Sequence, residues 1–323
     1  MVYIWKRAAK RIRFFSLFLG LVLSAVLMLP ARAAEEAVRD VGILPNWLLE
    51  ETEEPGEMLQ VIYPSVLRVD SRGGVYLPYG YNEAERCDVA FFFPGTGGCY
   101  EDAFTYGYPC FFQNGQREKI SIQHLLDRLI EEKVIRPTIV VCLEDMCRDN
   151  YYIADMDFQT MFDYVNENYS TYASDPSLTQ AEKREHYAML GFSQGAIYSE
   201  SFGMGVHFDD FAYTAAFSFG AYWQVLETVP TSPYEPGLLY ACSGTDMDKG
   251  AYSTRYNYDI IVKNCGDKLR EGENALRTQA ALYDHSYSLA VAALHDCLPM
   301  MFPSAKTELM ELYYSGYRPQ HPE

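Results

Sequence analysis

The residues of this chain that could do chemistry together begin with a serine between two glycines. Ser193 lies in His186-Tyr187-Ala188-Met189-Leu190-Gly191-Phe192-Ser193-Gln194-Gly195-Ala196, a short apolar run that leads into a tight turn and the start of a helix. A serine lifted clear of a sheet on a sharp strand-to-helix turn needs small residues two before and two after it, because larger side chains collide as the backbone doubles back. A serine hydroxyl is a weak nucleophile near neutral pH, so it also needs a base within hydrogen-bond reach and an acid behind that base. The histidines that follow are His207, His285, His295 and His321. His285 sits in the loop Tyr283-Asp284-His285-Ser286-Tyr287, directly after the last strand-like run, and is the candidate base. His295 stands among Leu294, Leu298 and Phe302 and reads as a packed histidine; His207 falls too close to the turn, and His321 lies in the tail.

The acid belongs just after the run Leu238 to Cys242, where the chain reads Ser243-Gly244-Thr245-Asp246-Met247-Asp248. Spacing does not separate the two aspartates; the reading leans to Asp246, with Asp248 as the alternative. An oxyanion on an attacked carbonyl needs two backbone N–H donors, one after the serine and one from a loop after an earlier strand. Gln194 and Thr96, the latter in Pro94-Gly95-Thr96-Gly97-Gly98, take those positions. That glycine loop lacks the lysine of a phosphate-cradling loop, and no His/Cys/Asp group has metal-ligand spacing, so no cofactor is expected.

The elements that must hold these groups alternate. Met58 to Asp70 and Gly74 to Pro78 read as an edge hairpin. Cys87 to Phe93, Thr138 to Leu143, the run before Ser193, Ala215 to Phe219, Leu238 to Cys242 and Leu276 to Tyr283 read as further strands. Helical spacing is found over Ile120 to Glu132, Phe158 to Tyr169, Tyr252 to Val262 and Ala290 to Phe302, the last broken at Pro299. Strands alternating with helices imply a mainly parallel, doubly wound α/β sheet covered on both faces.

Residues 1 to 33 differ from the rest. Five basic residues (Lys6, Arg7, Lys10, Arg11, Arg13) precede an apolar run from Phe14 to Leu29 and a small-x-small site at Ala31-Arg32-Ala33, the pattern of a secretory signal peptide; an uncleaved anchor is the alternative. Residues 34 to 57 read as an acidic surface lead-in, and 58 to 323 as one catalytic domain. The chain carries 44 acidic and 26 basic residues for a net charge of −18, and loss of the six basic residues of the leader takes it to −24. Such a surface is unsuited to nucleic acid or anionic membranes, which require Lys and Arg. The eight cysteines are too sparse for a disulfide scaffold; Cys99 with Cys110, and Cys142 with Cys147, are the pairs to test, and Cys142 and Cys242 sit in apolar runs where a buried thiol is the default.

With these residues in place, the chain resembles the esterase D and feruloyl esterase-like branch of the α/β-hydrolases, which includes esterase modules attached to xylanases. The likeness covers nearly all of the chain after the leader. It is carried by Val75-Tyr76-Leu77-Pro78-Tyr79-Gly80-Tyr81, Phe93-Pro94-Gly95-Thr96-Gly97-Gly98, Leu125 to Ile130 with Pro137 to Val141, Arg184-Glu185-His186 ahead of the serine turn, Phe208 to Trp223, and His285 followed by Leu298-Pro299. That last spacing favours His285 over His295. The family usually has histidine at the place of Pro94 and methionine at that of Gln194, and its Gly-Thr-x-Asp pattern falls on Met247, so a one-residue shift is needed to reach Asp248 or Asp246. The resemblance implies the α/β-hydrolase fold and a serine esterase without cofactor, acting on small or polysaccharide-linked esters such as feruloyl or acetyl groups, and the leader adds the expectation that it is secreted. An acyltransferase on the same fold and a non-catalytic binding protein are the alternatives.

Overall fold

A computed structural model describes residues 38–64, 71–144, 150–245 and 247–303. The leader, Cys147, Asp246 and His321 lie outside the described residues. The strands are β1 (Arg39–Asp40), β2 (Ile43–Leu44), β3 (Glu57–Tyr63), β4 (Ser71–Leu77), β5 (Asp88–Phe93), β6 (Tyr108–Phe112), β7 (Arg117–Ile120), β8 (Thr138–Leu143), β9 (Tyr187–Phe192), β10 (Tyr213–Phe217), β11 (Leu238–Ser243) and β12 (Ala275–Gln279). The helices are α1 (Ile122–Glu131), α2 (Tyr151–Asn168), α3 (Gln180–Lys183), α4 (Gln194–Glu200), α5 (Trp223–Thr228), α6 (Ala251–Asn264) and α7 (Tyr287–Cys297).

Nine strands form one sheet in the order β1-β12-β11-β10-β9-β5-β8-β4-β3. Every neighbouring pair from β1 to β8 is parallel, and the β4–β8 and β3–β4 pairs are antiparallel. In β5, β8 and β9 every residue is buried, as a parallel sheet covered on both faces requires. The period of two then sorts the side chains. Val89, Phe91 and Phe93 pack with Phe158 and Met161 of α2, whereas Ala90 and Phe92 pack with Leu125 and Leu129 of α1.

Several boundaries differ from the sequence reading for local reasons. Helix α2 starts at Tyr151, well before Phe158, because the side chain of Asn150 accepts the amides of Tyr152 and Ile153 and caps it there. β12 stops at Gln279 because the chain turns at once, with Tyr283 N–H bonding the Ala280 carbonyl at 3.1 Å. α7 begins at Tyr287, and Pro299 falls in a 3-10 turn over Leu298–Met300.

The lead-in is less superficial than its acidic composition suggests. Leu44 and Leu48 are fully buried, β2 joins β6 and β7 in a three-stranded sheet, and β1 completes the edge of the main sheet beside β12. Apolar residues in an otherwise charged stretch anchor it to the core. Cys99 and Cys110, one of the pairs to test, are free thiols: Cys110 lies on β6 with its Sγ toward the Ser288 carbonyl, and Cys99 sits at the turn after β5 with its Sγ on the Asp102 amide. Cys142 and Cys242 are buried thiols.

Candidate active site

All the chemically interesting groups gather at the carboxyl ends of the parallel strands, where the loops that leave a doubly wound sheet converge. Ser193 follows β9 directly with φ 59° and ψ −118°, a strained conformation for a residue with a side chain. Its turn is possible only because its neighbours lack Cβ atoms. A Cβ on Gly195 would sit 1.9 Å from the Phe93 carbonyl oxygen, and one on Gly191 2.0 Å from the Gly195 carbonyl oxygen. The turn is pinned from the next strand as well, since Ser193 N–H donates to the Phe217 carbonyl at 2.9 Å.

The structure brings Ser193 and His285 together across the sheet: Ser193 Oγ is 2.8 Å from His285 Nε2. On the other side of the ring, Nδ1 lies 3.0 Å from Asp248 Oδ1. A carboxylate can only accept, so Nδ1 carries the proton and Nε2 is left as the acceptor for the serine hydroxyl. Asp248, whose side chain is 0% exposed, is held by the Gly244 amide on Oδ2 and the Gly250 amide on Oδ1, each at 2.9 Å. Burial works to raise this carboxyl. The hydrogen bonds from His285, Ser218, Gly250 and Gly244 outweigh burial and leave it below the usual carboxylate range. Of the two aspartates left open by spacing, Asp248 is in contact with the histidine, and Asp246 lies outside the described residues.

The imidazole is packed by Phe192 at 4.9 Å and met edge-on by Phe219 at 5.6 Å between centroids. His295 and His207 lie elsewhere. His295 is buried beside Trp47, its Nε2 has no hydrogen-bond partner among the described residues, and burial with the nearby Arg39 charge depresses its pKa to about 4. His207 bonds Asp155 at 2.6 Å and packs on Phe158.

Thr96 and Gln194 meet in front of the serine. Thr96 Oγ1 donates to Gln194 Oε1 at 2.7 Å, and Gln194 Nε2 donates to the Tyr198 hydroxyl at 3.0 Å. The glycine loop behind Thr96 is steadied by Tyr287, whose hydroxyl accepts the Gly95 amide at 3.2 Å. Sequence spacing does not associate Cys99, Glu101 and Glu144, yet their ligand-type atoms lie within 4.8 Å of one another, close to this loop. Glu144 Oε1 there takes the Tyr100 amide at 3.0 Å.

Three site residues escape a reading by motif. Ser218 sits inside a run read only as apolar strand, Glu200 is a charged residue on the elbow helix, and Tyr287 is one of 27 tyrosines. A polar residue within an otherwise apolar run was the available signal for Ser218.

No family model matches the chain. Among solved structures, a mutant of the feruloyl esterase module from Clostridium thermocellum in complex with sinapinate matches with a TM-score of 0.66 at 18% identity, over 84% of this chain and 97% of that one. A ferulic acid esterase from the anaerobic fungus Anaeromyces mucronatus, in complex with ferulic acid, matches with a TM-score of 0.61 at 19% identity, over 82% and 98%. The ferric enterobactin esterase from Salmonella typhimurium matches with a TM-score of 0.55 at 12% identity, over 80% of this chain and 61% of that one. The structural neighbours of this chain are thus feruloyl and enterobactin esterases, and the fold it shares with them is the α/β-hydrolase fold.

Proposed function

We propose that this chain is a serine-dependent hydrolase of carboxylic esters that works through an acyl-enzyme. The observation that carries the reading is the line of contacts Ser193 Oγ to His285 Nε2 at 2.8 Å and His285 Nδ1 to Asp248 Oδ1 at 3.0 Å. In this reading Ser193 Oγ attacks the ester carbonyl while its proton passes to Nε2. The carbonyl oxygen, now an oxyanion, is met by the backbone N–H groups of Gln194 and Thr96. As the tetrahedral intermediate collapses, Nε2–H protonates the departing alkoxide and the alcohol leaves. Water then enters, gives a proton to Nε2, and attacks the acyl-serine; as this second tetrahedral intermediate collapses, Nε2–H returns its proton to Ser193 Oγ and the acid is released. Asp248 keeps the Nδ1 proton in place and balances the imidazolium charge throughout. No metal or organic cofactor has a part in these steps.

The substrates proposed are feruloyl or acetyl esters, free or carried on polysaccharide. Two neighbours are named for feruloyl or ferulic acid esters and hold sinapinate or ferulic acid, and aromatic rings surround the histidine here. Export belongs to the same proposal, supported by the basic start, apolar run and small-x-small site of residues 1 to 33. Among the described residues no helix is long and apolar enough to cross a membrane.

A serine-reactive fluorophosphonate probe tests the chemistry. Wild type is expected to label and Ser193→Ala to be blank; an unlabelled wild type, or equal labelling of the variant, overturns the reading. A panel of feruloyl, acetyl and short-chain aryl esters then ranks the acyl group, and product analysis with added sugar acceptor separates hydrolysis from acyl transfer.

A further inference from the structure

The shortest contacts behind the proposed base do not run directly to the acid. Ser218 Oγ lies 2.6 Å from His285 Nδ1 and 2.5 Å from Asp248 Oδ1, while Nδ1 and Oδ1 are 3.0 Å apart. Asp248 can only accept, so the Ser218 hydroxyl donates to Oδ1 and turns its lone pairs toward the Nδ1–H of the imidazole. The base is therefore linked to the acid twice, once directly and once through a hydroxyl. Each link through the hydroxyl is shorter than the direct one.

The fold goes to some length to hold that hydroxyl there. Ser218 is fully buried with φ 56°, and the following Phe219 has φ 151°, two successive residues with side chains in conformations they rarely adopt. The Ser218 amide donates to the Cys242 carbonyl at 2.8 Å, and the Phe219 amide to Thr254 Oγ1 at 2.8 Å. Position 250 must be glycine for the same reason, since a Cβ there would lie 2.4 Å from both the Ser218 carbonyl oxygen and its Oγ. One residue earlier, the Phe217 carbonyl receives the Ser193 amide. The tip of β10 thus touches the serine turn through its backbone and the acid and base through a side chain.

We infer that Ser218 is a positioning residue for the ester hydrolysis proposed above, and the inference rests on that reading. Its hydroxyl fixes the ring of His285 with Nδ1 protonated. When Nε2 accepts the proton of Ser193, the new positive charge faces an oxygen already polarised by Asp248, in a site shielded from water where such a contact is strong. No proton leaves Ser218 in this role. Loss of the hydroxyl leaves Nδ1–H with only the longer bond and takes one donor from Oδ1, so the effect belongs to the reacting state more than to substrate binding.

The test is steady-state kinetics on an aryl ester with wild type, Ser218→Ala, Asp248→Asn and the double variant. Ser218→Ala is expected to lower kcat about 10- to 100-fold, the range for a hydrogen bond to a charged group, with KM little changed. In the Asp248→Asn background the same change is expected to cost less than about threefold, because both residues act through one imidazole. The downfield proton resonance of His285 Nδ1–H should shift in Ser218→Ala, which a loss of packing alone does not produce. Ser218→Gly guards against misfolding: glycine accepts the positive φ, so this variant should be as stable as wild type and as slow as Ser218→Ala. A wild-type kcat in either variant, or an undiminished loss in the Asp248→Asn background, overturns the inference while leaving the hydrolase reading intact. A wild type that neither labels with fluorophosphonate nor turns over the ester overturns both.

Discussion

The carboxyl of Glu200 accepts the amide hydrogen of Ala221 at 2.5 Å from a position that is only 1% exposed. Glu200 closes helix α4 and Ala221 follows the strained loop of Ser218 and Phe219, so this contact ties the serine turn to the loop that touches Asp248. Burial pushes the Glu200 pKa up to about 8, and the Ala221 amide only partly opposes it. The folded protein therefore keeps a proton that the unfolded chain releases above its ordinary value of 4.5. Stability from this group is present in full below pH 4.5 and is lost as pH rises toward 8. Glu200→Gln keeps an acceptor for Ala221 without the titration, and is expected to be more stable than wild type at pH 8 by on the order of a few kcal/mol. Urea midpoints of the two proteins between pH 6.5 and 8 check this; parallel curves would refute it.

The two histidines of the closing segment should separate cleanly. His285→Ala is expected to lower kcat by about three to four orders of magnitude with folding intact, while His295→Ala leaves turnover near wild type. His295 acts on stability instead. Its pKa falls from 6.5 to about 4 through burial first and Arg39 second, so the unfolded chain takes up a proton that the folded one refuses. Stability is thus lost as pH falls from 6.5 toward 4, and His295→Leu should abolish that slope. Denaturation of both proteins at pH 4.5 and 7 measures it. A His295 variant without turnover, beside an active His285 variant, would reverse the assignment.

Gly195→Ala is expected to be the most damaging methyl group in the protein. Its Cβ would lie 1.9 Å from the Phe93 carbonyl oxygen, and the contact is with backbone, which cannot rotate away. Relief requires the elbow helix to move off β5, an overpacking cost of about 1 to 3 kcal/mol or more and a fall in Tm of about 5 °C or more. Calorimetry and probe labelling together test it: stability and labelling should fall in the same variant.

Tyr287→Phe removes the acceptor of the Gly95 amide and leaves that N–H facing a ring. The glycine loop carrying Thr96 loses its tether, so kcat should fall about 5- to 20-fold for about 1 to 2 kcal/mol of lost interaction. Because the tyrosine ring still packs on Phe192 and Tyr108, Tm should change by only a few degrees. An unchanged kcat would detach Thr96 from the chemistry.

How much of this could be read from the residues follows from range. The alternation of apolar runs gave the strands of the sheet, because a doubly covered parallel sheet writes its burial into consecutive residues, as in Asp88–Phe93 and Tyr187–Phe192. The places of Ser193 after β9 and His285 after β12 were legible since each depends on its own turn. The contact of Asp248 with His285 was not, because it depends on how the loop folds: a bond from the Asp248 amide to the Thr245 carbonyl at 2.8 Å and the Gly244 and Gly250 amides together turn its carboxylate inward. Ser218 was hidden for a similar reason. A hydroxyl at the end of an apolar strand means nothing until the loops of β11 and β12 arrive beside it. Leu44 and Leu48 were masked by the acidic residues around them, and composition averaged over a window cannot see two anchors.

The pairing of Arg39 with Thr278 and of Asp40 with Gln279 has a consequence for how this chain reaches its native state. The opposite edge of the sheet is a local hairpin, β3 with β4, able to form as soon as residues 57 to 77 exist. The β1 edge joins segments more than two hundred residues apart, so its ladder, and the Arg39–Asp296 ion pair beside it, must wait for nearly the whole chain. Until then β12 presents an open edge to any other strand. Residues 39 and 40 are in this sense a late clasp on the sheet, and because Asp40 Oδ1 accepts the Ala281 amide, the clasp also reaches the segment that leads to His285.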